Sequence, residues 1–177
     1  MIIKILIGLV IVLVILAIVI ALQPADFRVT RSATMAAPPE GVFEQVDDLK
    51  KWEAWSPWAK MDATMKQTYE GPATGVGAIS RWTGNAQVGE GSMTITESRP
   101  NELVGLKLQF LKPFVATNEV QFTFKPEGDQ TLVTWDMTGT NNFMAKGFNL
   151  IMNMEKMCGD QFNQGLASMK SIVETRP

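Results

Sequence analysis

The sequence predicts an α+β protein, in which an antiparallel sheet of about seven strands packs on a long C-terminal helix and one transmembrane helix precedes both. Three observations lead to this prediction. An unbroken apolar run lies at Ile5–Leu22, β-type segments separated by turn residues follow, and apolar residues then recur every three or four positions from Phe143 to about Thr175. Because no partner helix for a bundle precedes this last segment, its apolar face must lie on the sheet.

Composition limits the classes of function. The chain of 177 residues is 46% hydrophobic with a net charge of −2, which suits one globular domain beside a membrane segment. No basic run is present, so we predict no nucleic-acid partner. The sequence has no histidine and one cysteine, Cys158, which excludes Ser–His and Cys–His nucleophile pairs, an internal disulfide and a cysteine-based metal site. We predict neither a metal nor a cofactor.

The apolar run Ile5–Leu22 contains eighteen residues and no charge. As a helix it would be ~27 Å long, close to the ~30 Å hydrocarbon core of a bilayer. We interpret it as an uncleaved single-pass anchor. The alternative is a signal peptide cleaved at Val19-Ile20-Ala21, although the apolar run is long for one.

The predicted anchor and its linker occupy residues 1–24, and the globular domain occupies residues 25–177. The linker is very short, so the domain is expected to sit close to the membrane. Charges flank both ends of the run, Lys4 on one side and Arg28 and Arg31 on the other, and they leave the orientation open. We favour a domain on the non-cytoplasmic side.

The next segments predict one strand and two short helices. Alternation over Phe27–Met35 predicts the first strand. Because proline fits the first turn of a helix, Pro39 to about Val46 is predicted to be a short helix. Asp47-Asp48 favours a second short helix through Lys51 and Trp52.

Three of the five tryptophans, Trp52, Trp55 and Trp58, fall within seven residues. Each indole is large and apolar and carries one N–H donor. Three interpretations remain open: the indoles fill the core between the short helices and the sheet, gate a cavity, or contact the adjacent bilayer surface.

Six further strands are predicted from apolar alternation between turn-forming residues. They are Met65–Glu70, Val76–Gly84, Val88–Arg99, Leu103–Leu111, Val115–Lys125 and Thr131–Thr140. Gly75-Val-Gly77 and Gly89-Glu-Gly91 do not lie between a strand and a helix, so neither is a nucleotide-binding fingerprint. We interpret them as bulges or bends of a curved sheet.

The last helix has two unusual features. Gly159 and Gly165 lie inside it, and close packing on the sheet, a kink near Asn153, or room for a ligand would each explain them. Glu155 lies near the apolar stripe, where a lone carboxylate is costly. We predict Arg81 as its partner. Alternatively, Glu155 lies at the edge of the stripe and reaches solvent.

The chain resembles the SRPBCC (START-like) superfamily at Ala37-Pro-Pro-Glu-Gly-Val-Phe-Glu44, Trp55-Ser-Pro-Trp58 and Gly159-Asp-Gln-Phe-Asn-Gln-Gly-Leu166. The resemblance covers about residues 27–175 and is strongest to membrane-anchored members labelled polyketide cyclase/dehydrase. It implies a helix-grip fold, in which a curved antiparallel sheet closes on the long helix around an apolar cavity. Family members bind or act on lipids, sterols, polyketides and other hydrophobic molecules. The family has no universal catalytic triad, so the resemblance assigns no catalytic residue.

We therefore predict that this protein binds a hydrophobic small molecule or lipid in an internal cavity beside the membrane. The candidate cavity residues are Trp55, Trp58, Arg81, Trp82, Met93, Phe110, Phe122, Trp135, Met137, Phe148, Met152, Glu155 and Phe162. One alternative is a cyclase or dehydrase, which would need a positioned acid or base. The ionisable candidates for that chemistry are Glu155, Arg81, Tyr69 and Asp136. A second alternative is a membrane-tethered protein-interaction module.

Overall fold

The computed structural model describes residues 2–175, which form six helices and seven strands. In chain order these are α1 Ile2–Leu22, β1 Asp26–Met35, α2 Pro39–Asp47, α3 Trp52–Trp55, α4 Pro57–Met61, β2 Lys66–Glu70, β3 Ile79–Thr83, β4 Glu90–Arg99, β5 Leu103–Lys112, β6 Ala116–Glu127, β7 Gln130–Thr140, α5 Phe143–Ile151 and α6 Met154–Glu174. The predicted α+β class and the seven predicted strands are confirmed. The predicted outer limits, residues 1 and 177, lie outside the described residues.

The seven strands form one antiparallel sheet in the order β1-β7-β6-β5-β4-β3-β2. Asp26 lies opposite Thr140 at one end of the sheet, and the turn between β5 and β6 lies at that same end. We call it the near end, because α1 joins the domain there. Met35 lies opposite Thr131 at the far end. This register decides which loops surround the site described below.

An aromatic cluster joins the last helix to the sheet. The rings of Trp135 on β7 and Phe162 on α6 are stacked, with centroids 4.0 Å apart and planes 5° from parallel. Trp52 and Trp55 meet Trp135 edge-on, at 6.0 and 5.6 Å. Their indole N–H groups each donate to a backbone carbonyl at the end of α2 at 2.9 Å. Both side chains are buried, and Trp55 fills the core, while Trp52 also lines the cavity described below.

The two glycines of α6 allow the helix to lie close to the sheet. A Cβ at Gly165 would lie 2.9 Å from Trp135 Cζ3 and 3.2 Å from Pro57 Cδ. A Cβ at Gly159 would overlap the guanidinium group of Arg31 on β1. Close packing is therefore the explanation that the structure supports for both positions.

The predicted single helix Phe143–Thr175 is two helices, because the chain leaves helical geometry at Met152 and Asn153. Met152 is extended, with φ −116° and ψ 122°. The Asn153 side chain then accepts a hydrogen bond from the Lys156 N–H at 2.9 Å and caps the first turn of α6. The break coincides with the kink considered near Asn153. The structure also adds a third short helix, α4, which was not predicted from the sequence.

Helix α1 is long and apolar enough to cross a membrane, a property that membrane anchors and signal sequences share. None of its described residues is buried. Its last turn contacts α5, where Lys146 Nζ donates to the Ala21 carbonyl at 3.3 Å. The end of α1 and the start of the domain therefore lie beside α5.

Gly165→Ala is expected to lower the free energy of unfolding by about 1 kcal/mol, because overpacking costs about 1–3 kcal/mol and helix propensity returns about 1 kcal/mol. Gly41→Ala in α2 is the matched control, since no atom lies within 4 Å of a Cβ at that position. Urea unfolding followed by tryptophan fluorescence measures both variants. A Gly165→Ala variant as stable as the wild type would contradict the packing described here.

Candidate ligand-binding cavity

A cavity of about 1010 Å³ lies between the inner face of the sheet, the short helices, α5 and α6. This volume is at the upper end of the ~300–1,000 Å³ that small-molecule sites occupy. Most lining side chains are aromatic or aliphatic, and uncharged polar groups such as Gln67, Asn118 and Asn149 lie among them. The cavity therefore offers a large apolar surface with a few hydrogen-bonding groups.

Nine of the thirteen predicted cavity residues line this space. They are Trp58, Trp82, Met93, Phe110, Trp135, Met137, Phe148, Glu155 and Phe162. Trp55 and Phe122 are instead fully buried in the aromatic cluster. Met152 is exposed at the helix break, and Arg81 is exposed on the outer face of β3. Ligand binding by the nine lining residues stays a prediction.

Trp82 on β3 and Phe110 on β5 form one wall of the cavity, and their packing depends on Gly89-Glu-Gly91 at the start of β4. Trp82 and Phe110 meet edge to face with centroids 5.8 Å apart, and the Trp82 N–H donates to the Val88 carbonyl at 3.0 Å. A Cβ at Gly91 would lie 2.6 Å from Trp82 Cζ2, so only glycine leaves room for this indole. The pairing of β4 with β5 shifts register between Glu90 and Gly91. The predicted irregularity at Gly89-Glu-Gly91 is therefore present, and it makes room for the Trp82 side chain in the cavity wall.

Glu155 has an ion-pair partner, but it is not the predicted one. Arg31 Nη1 lies 2.8 Å from Glu155 Oε1. Arg81 pairs with Glu70 at 2.9 Å, because strand alternation turns Trp82 inward and Arg81 outward on β3. The predicted Arg81–Glu155 pair is wrong for this reason.

The sequence did carry a signal for Arg31. On β1 the residues of the inner face alternate from Val29 to Met35, and Arg31 is in phase with them. The sequence alone assigns Arg31 no role beyond a charge that flanks the membrane run. The side chain of Glu155 is 54% exposed, so the pair lies at the edge of the cavity and not inside it. This agrees with the alternative that placed Glu155 at the edge of the stripe.

The other ionisable candidates lie away from the cavity. The Tyr69 hydroxyl donates to Glu53 Oε1 at 2.6 Å, and burial together with this carboxylate raises the pKa of Tyr69. Asp136 pairs with Arg28 at 2.7 Å on the outer face of the sheet. Of the four groups considered for acid–base chemistry, Glu155 is the one that lines the cavity. Among residues 2–175 no group of three or more His, Cys, Asp or Glu side chains could hold a metal ion.

The cavity opens at the near end of the sheet. Several of its lining residues are also exposed to solvent, and they belong mostly to the β5–β6 turn and α5: Phe114, Val115, Met144, Phe148, Leu150, Ile151 and Met154. The sequence predicts only a turn between the strands Leu103–Leu111 and Val115–Lys125 at this place. The apolar pair Phe114-Val115 directly after a turn-forming proline could have indicated an apolar turn at the cavity mouth.

Cys158 provides a chemical probe of this site. It is a half-buried free thiol that lines the cavity one turn after Glu155. Burial raises the pKa of the thiol, and the nearby Glu155 carboxylate raises it further. A raised pKa leaves less thiolate at a given pH, so alkylation should be slow and should accelerate only at high pH.

Glu155→Gln is expected to speed alkylation of Cys158 a few-fold at a fixed pH, because removing the negative charge lowers the pKa of the thiol. Iodoacetamide labelling of the full chain between about pH 7 and 10, followed by mass spectrometry, measures the rate. Asp160→Asn is the control, since that carboxylate pairs with Lys156 and does not shift the pKa of Cys158. Equal rates for Glu155→Gln and wild type would contradict the electrostatic coupling.

Comparison with known proteins identifies the family. The family model described as polyketide cyclase / dehydrase and lipid transport matches residues 26–174. Among solved structures, CV1439 from Chromobacterium violaceum is 17% identical with a TM-score of 0.61, covering 87% of this chain and 100% of that one. TTHA0849 from Thermus thermophilus is 20% identical with a TM-score of 0.60, covering 83% and 97%. The di-domain ARO/CYC protein BexL from the BE-7585A biosynthetic pathway is 16% identical with a TM-score of 0.67, covering 89% and 53%.

These identities show a shared fold and no more. No significant match was found among curated proteins. The seven-stranded antiparallel sheet gripping a C-terminal helix confirms the helix-grip fold that the SRPBCC resemblance implied. Since the family model covers most of the sequence, this chain belongs to the polyketide cyclase/dehydrase and lipid transport family.

Proposed function

We propose that this protein binds a hydrophobic small molecule or lipid in its cavity while α1 holds it in a membrane. The observation that supports binding is the cavity of about 1010 Å³ and its mainly apolar lining. Burying apolar ligand surface against such a lining is favourable by roughly 25 cal/mol per Å². Gln67 and Asn118 add hydrogen-bonding groups without adding charge. An amphiphile with an apolar body and a small polar part fits this arrangement.

The family description names cyclases and dehydrases as well as lipid transport, so an enzyme is the alternative to consider. General acid–base catalysis requires an ionisable group within reach of the substrate. Of the four candidates, Glu155 alone lines the cavity, and it is paired with Arg31 at the edge. This placement favours binding over turnover.

The properties of α1 support the membrane part of the proposal. The helix has 21 residues. At ~1.5 Å per residue it is about 31 Å long, which matches the hydrocarbon thickness of a bilayer. Apart from Lys4 in its first turn, α1 is apolar around its whole circumference, and none of its described side chains is buried against the domain. A lipid surrounding accounts for such a surface better than water does.

Native mass spectrometry of the full chain, released from detergent micelles, is expected to show an adduct of lipid-like mass. Leu108→Trp should reduce that adduct several-fold, because Leu108 lines the cavity and the larger side chain occupies ligand volume. Leu132→Trp is the matched control on the outer face of β7. An empty wild-type protein, or equal adducts in both variants, would count against ligand binding in the cavity.

Membrane fractions are expected to retain the full-length chain after a carbonate wash, because α1 is expected to span the bilayer. Intact-mass measurement of the washed fraction shows whether residues before Asp26 are still attached. Recovery of a soluble, processed form beginning near Leu22 would instead identify α1 as a cleaved signal peptide. That outcome would remove the membrane part of the proposal and leave the cavity unaffected.

A further inference from the structure

Helix α5 is apolar, yet none of its residues is buried in the domain. The turn between β5 and β6 is similar, with apolar side chains directed to solvent. We call these exposed apolar residues the rim: Leu111, Phe114, Val115, Phe143, Met144, Phe148, Leu150 and Ile151. Ile151 is 88% exposed and Val115 is 74% exposed, which is unusual for aliphatic side chains gathered at one site.

The two parts of the rim meet beside the cavity. The rings of Phe114 and Phe148 have centroids 5.9 Å apart, so the β5–β6 turn and α5 touch. Both side chains also line the cavity. The surface that a partner would cover therefore includes side chains that line the cavity.

The contacts of α1 give the depth of the rim relative to a bilayer. Ile20 Cδ1 lies 3.5 Å from the position that a Cβ would take on Gly147 of α5. The residue before Gly147 is Lys146, and its ammonium group donates to the Ala21 carbonyl at 3.3 Å. Since α1 ends at Leu22 and rises ~1.5 Å per residue, these contacts lie about 2–3 Å inside the end of the span. If α1 spans the bilayer, α5 lies where hydrocarbon meets the headgroups.

The linker keeps the domain at that depth. The three residues between Leu22 and Asp26 can extend at most about 10 Å. The Asn141 N–H donates to the Ala25 carbonyl at 2.8 Å, which fastens the linker to the chain just before α5. Lys146 fastens α5 to the same place, since its ammonium group donates to the Ala21 carbonyl near the end of α1. The domain has little freedom to move away from the bilayer surface.

We infer that the rim embeds in the bilayer surface around α1, so that the cavity opens into the lipid and takes up an amphiphile without passing it through water. The inference rests on the proposed membrane anchor. A bilayer is the partner that fits, because interfacial helices bury an apolar face about 5–10 Å below the headgroups and need no matching protein surface. The same contact removes the exposed apolar side chains from water.

The test uses the full chain with Cys158→Ser, labelled at single introduced cysteines with the fluorophore NBD. The vesicles are phosphatidylcholine containing a lipid with a spin label on its acyl chain. Leu111→Cys and Phe143→Cys report on the rim, and neither residue lines the cavity. Val76→Cys is the matched control, an aliphatic residue that is 59% exposed near the far end of the sheet. Leu13→Cys, in the middle of α1, reports on the anchor.

The expected result is strong quenching by the spin-labelled lipid at both rim positions and at Leu13, with little at Val76. Quenching at Leu13 with rim labels that behave like Val76 would overturn the inference and leave the anchor intact. Rim fluorescence that is shifted to the blue but not quenched would mean that a second copy of this chain covers the rim, which also overturns the inference. Absence of quenching at Leu13 would overturn the anchor and the inference together.

A second measurement separates insertion from an unspecific effect of labelling. Phe143→Glu is expected to reduce quenching at Leu111 several-fold, because a carboxylate resists entry into the interface. Val76→Glu should leave quenching at Leu111 unchanged.

The same variants should differ in how fast a dansyl-labelled fatty acid moves from vesicles into the protein, measured by energy transfer from tryptophan. Equal transfer rates for Phe143→Glu and Val76→Glu would contradict entry through the lipid.

Discussion

The close approach of α6 to β7 is the contact on which the rest of the domain depends. Gly165 permits it, because any side chain there would press on the indole of Trp135. With the helix this close, Phe162 stacks on Trp135, and the tryptophans of α3 lie against the edge of the same stack. Rigid rings then fill one part of the interior completely. The part beyond them stays open, since large planar side chains have few rotamers with which to collapse into it.

The break between α5 and α6 keeps that open part from closing. A straight continuation of α6 would carry its apolar stripe along the sheet toward the near end. Instead Met152 is extended and Asn153 starts a new helix, so α5 takes its own direction beside α1. The cavity occupies the space that this change of direction leaves, and α5 forms part of its mouth. The break at Asn153 thus separates α6, which packs on the sheet, from α5, which forms part of the cavity mouth.

Much of this could be predicted from the sequence, because periodicity reports which side of an element is buried. The seven strands followed from alternation, and the apolar period of the last helix followed from helical spacing. Close packing was one of the explanations that the sequence left open for the glycines of α6, and Gly89-Glu-Gly91 was predicted to be a bulge or bend, but the neighbours of these glycines were not predicted. The likeness to a known family then supplied the cavity, which no local pattern shows.

Contacts between distant elements were harder to predict. The partner of Glu155 was assigned to Arg81, although the phase of β3 turns Arg81 outward, toward Glu70. Arg31 was the correct partner, and its phase on β1 was visible. What the sequence lacked was the knowledge that β1 pairs with β7 at the edge of the sheet, next to α6. Pairing order is a property of the whole sheet, so alternation within one strand cannot supply it.

The same residues serve two physical requirements at the near end of the domain. A mouth that admits apolar molecules needs apolar side chains at its edge, and water makes such an edge unfavourable. The proposed membrane anchor would resolve this conflict, since the last turn of α1 contacts α5 and a short linker joins α1 to β1. A bilayer at that level would cover the edge and would hold the hydrophobic molecules that we propose as ligands. Changing Phe114 or Phe148 would therefore alter the mouth and its covering together, because both line the cavity and both are exposed.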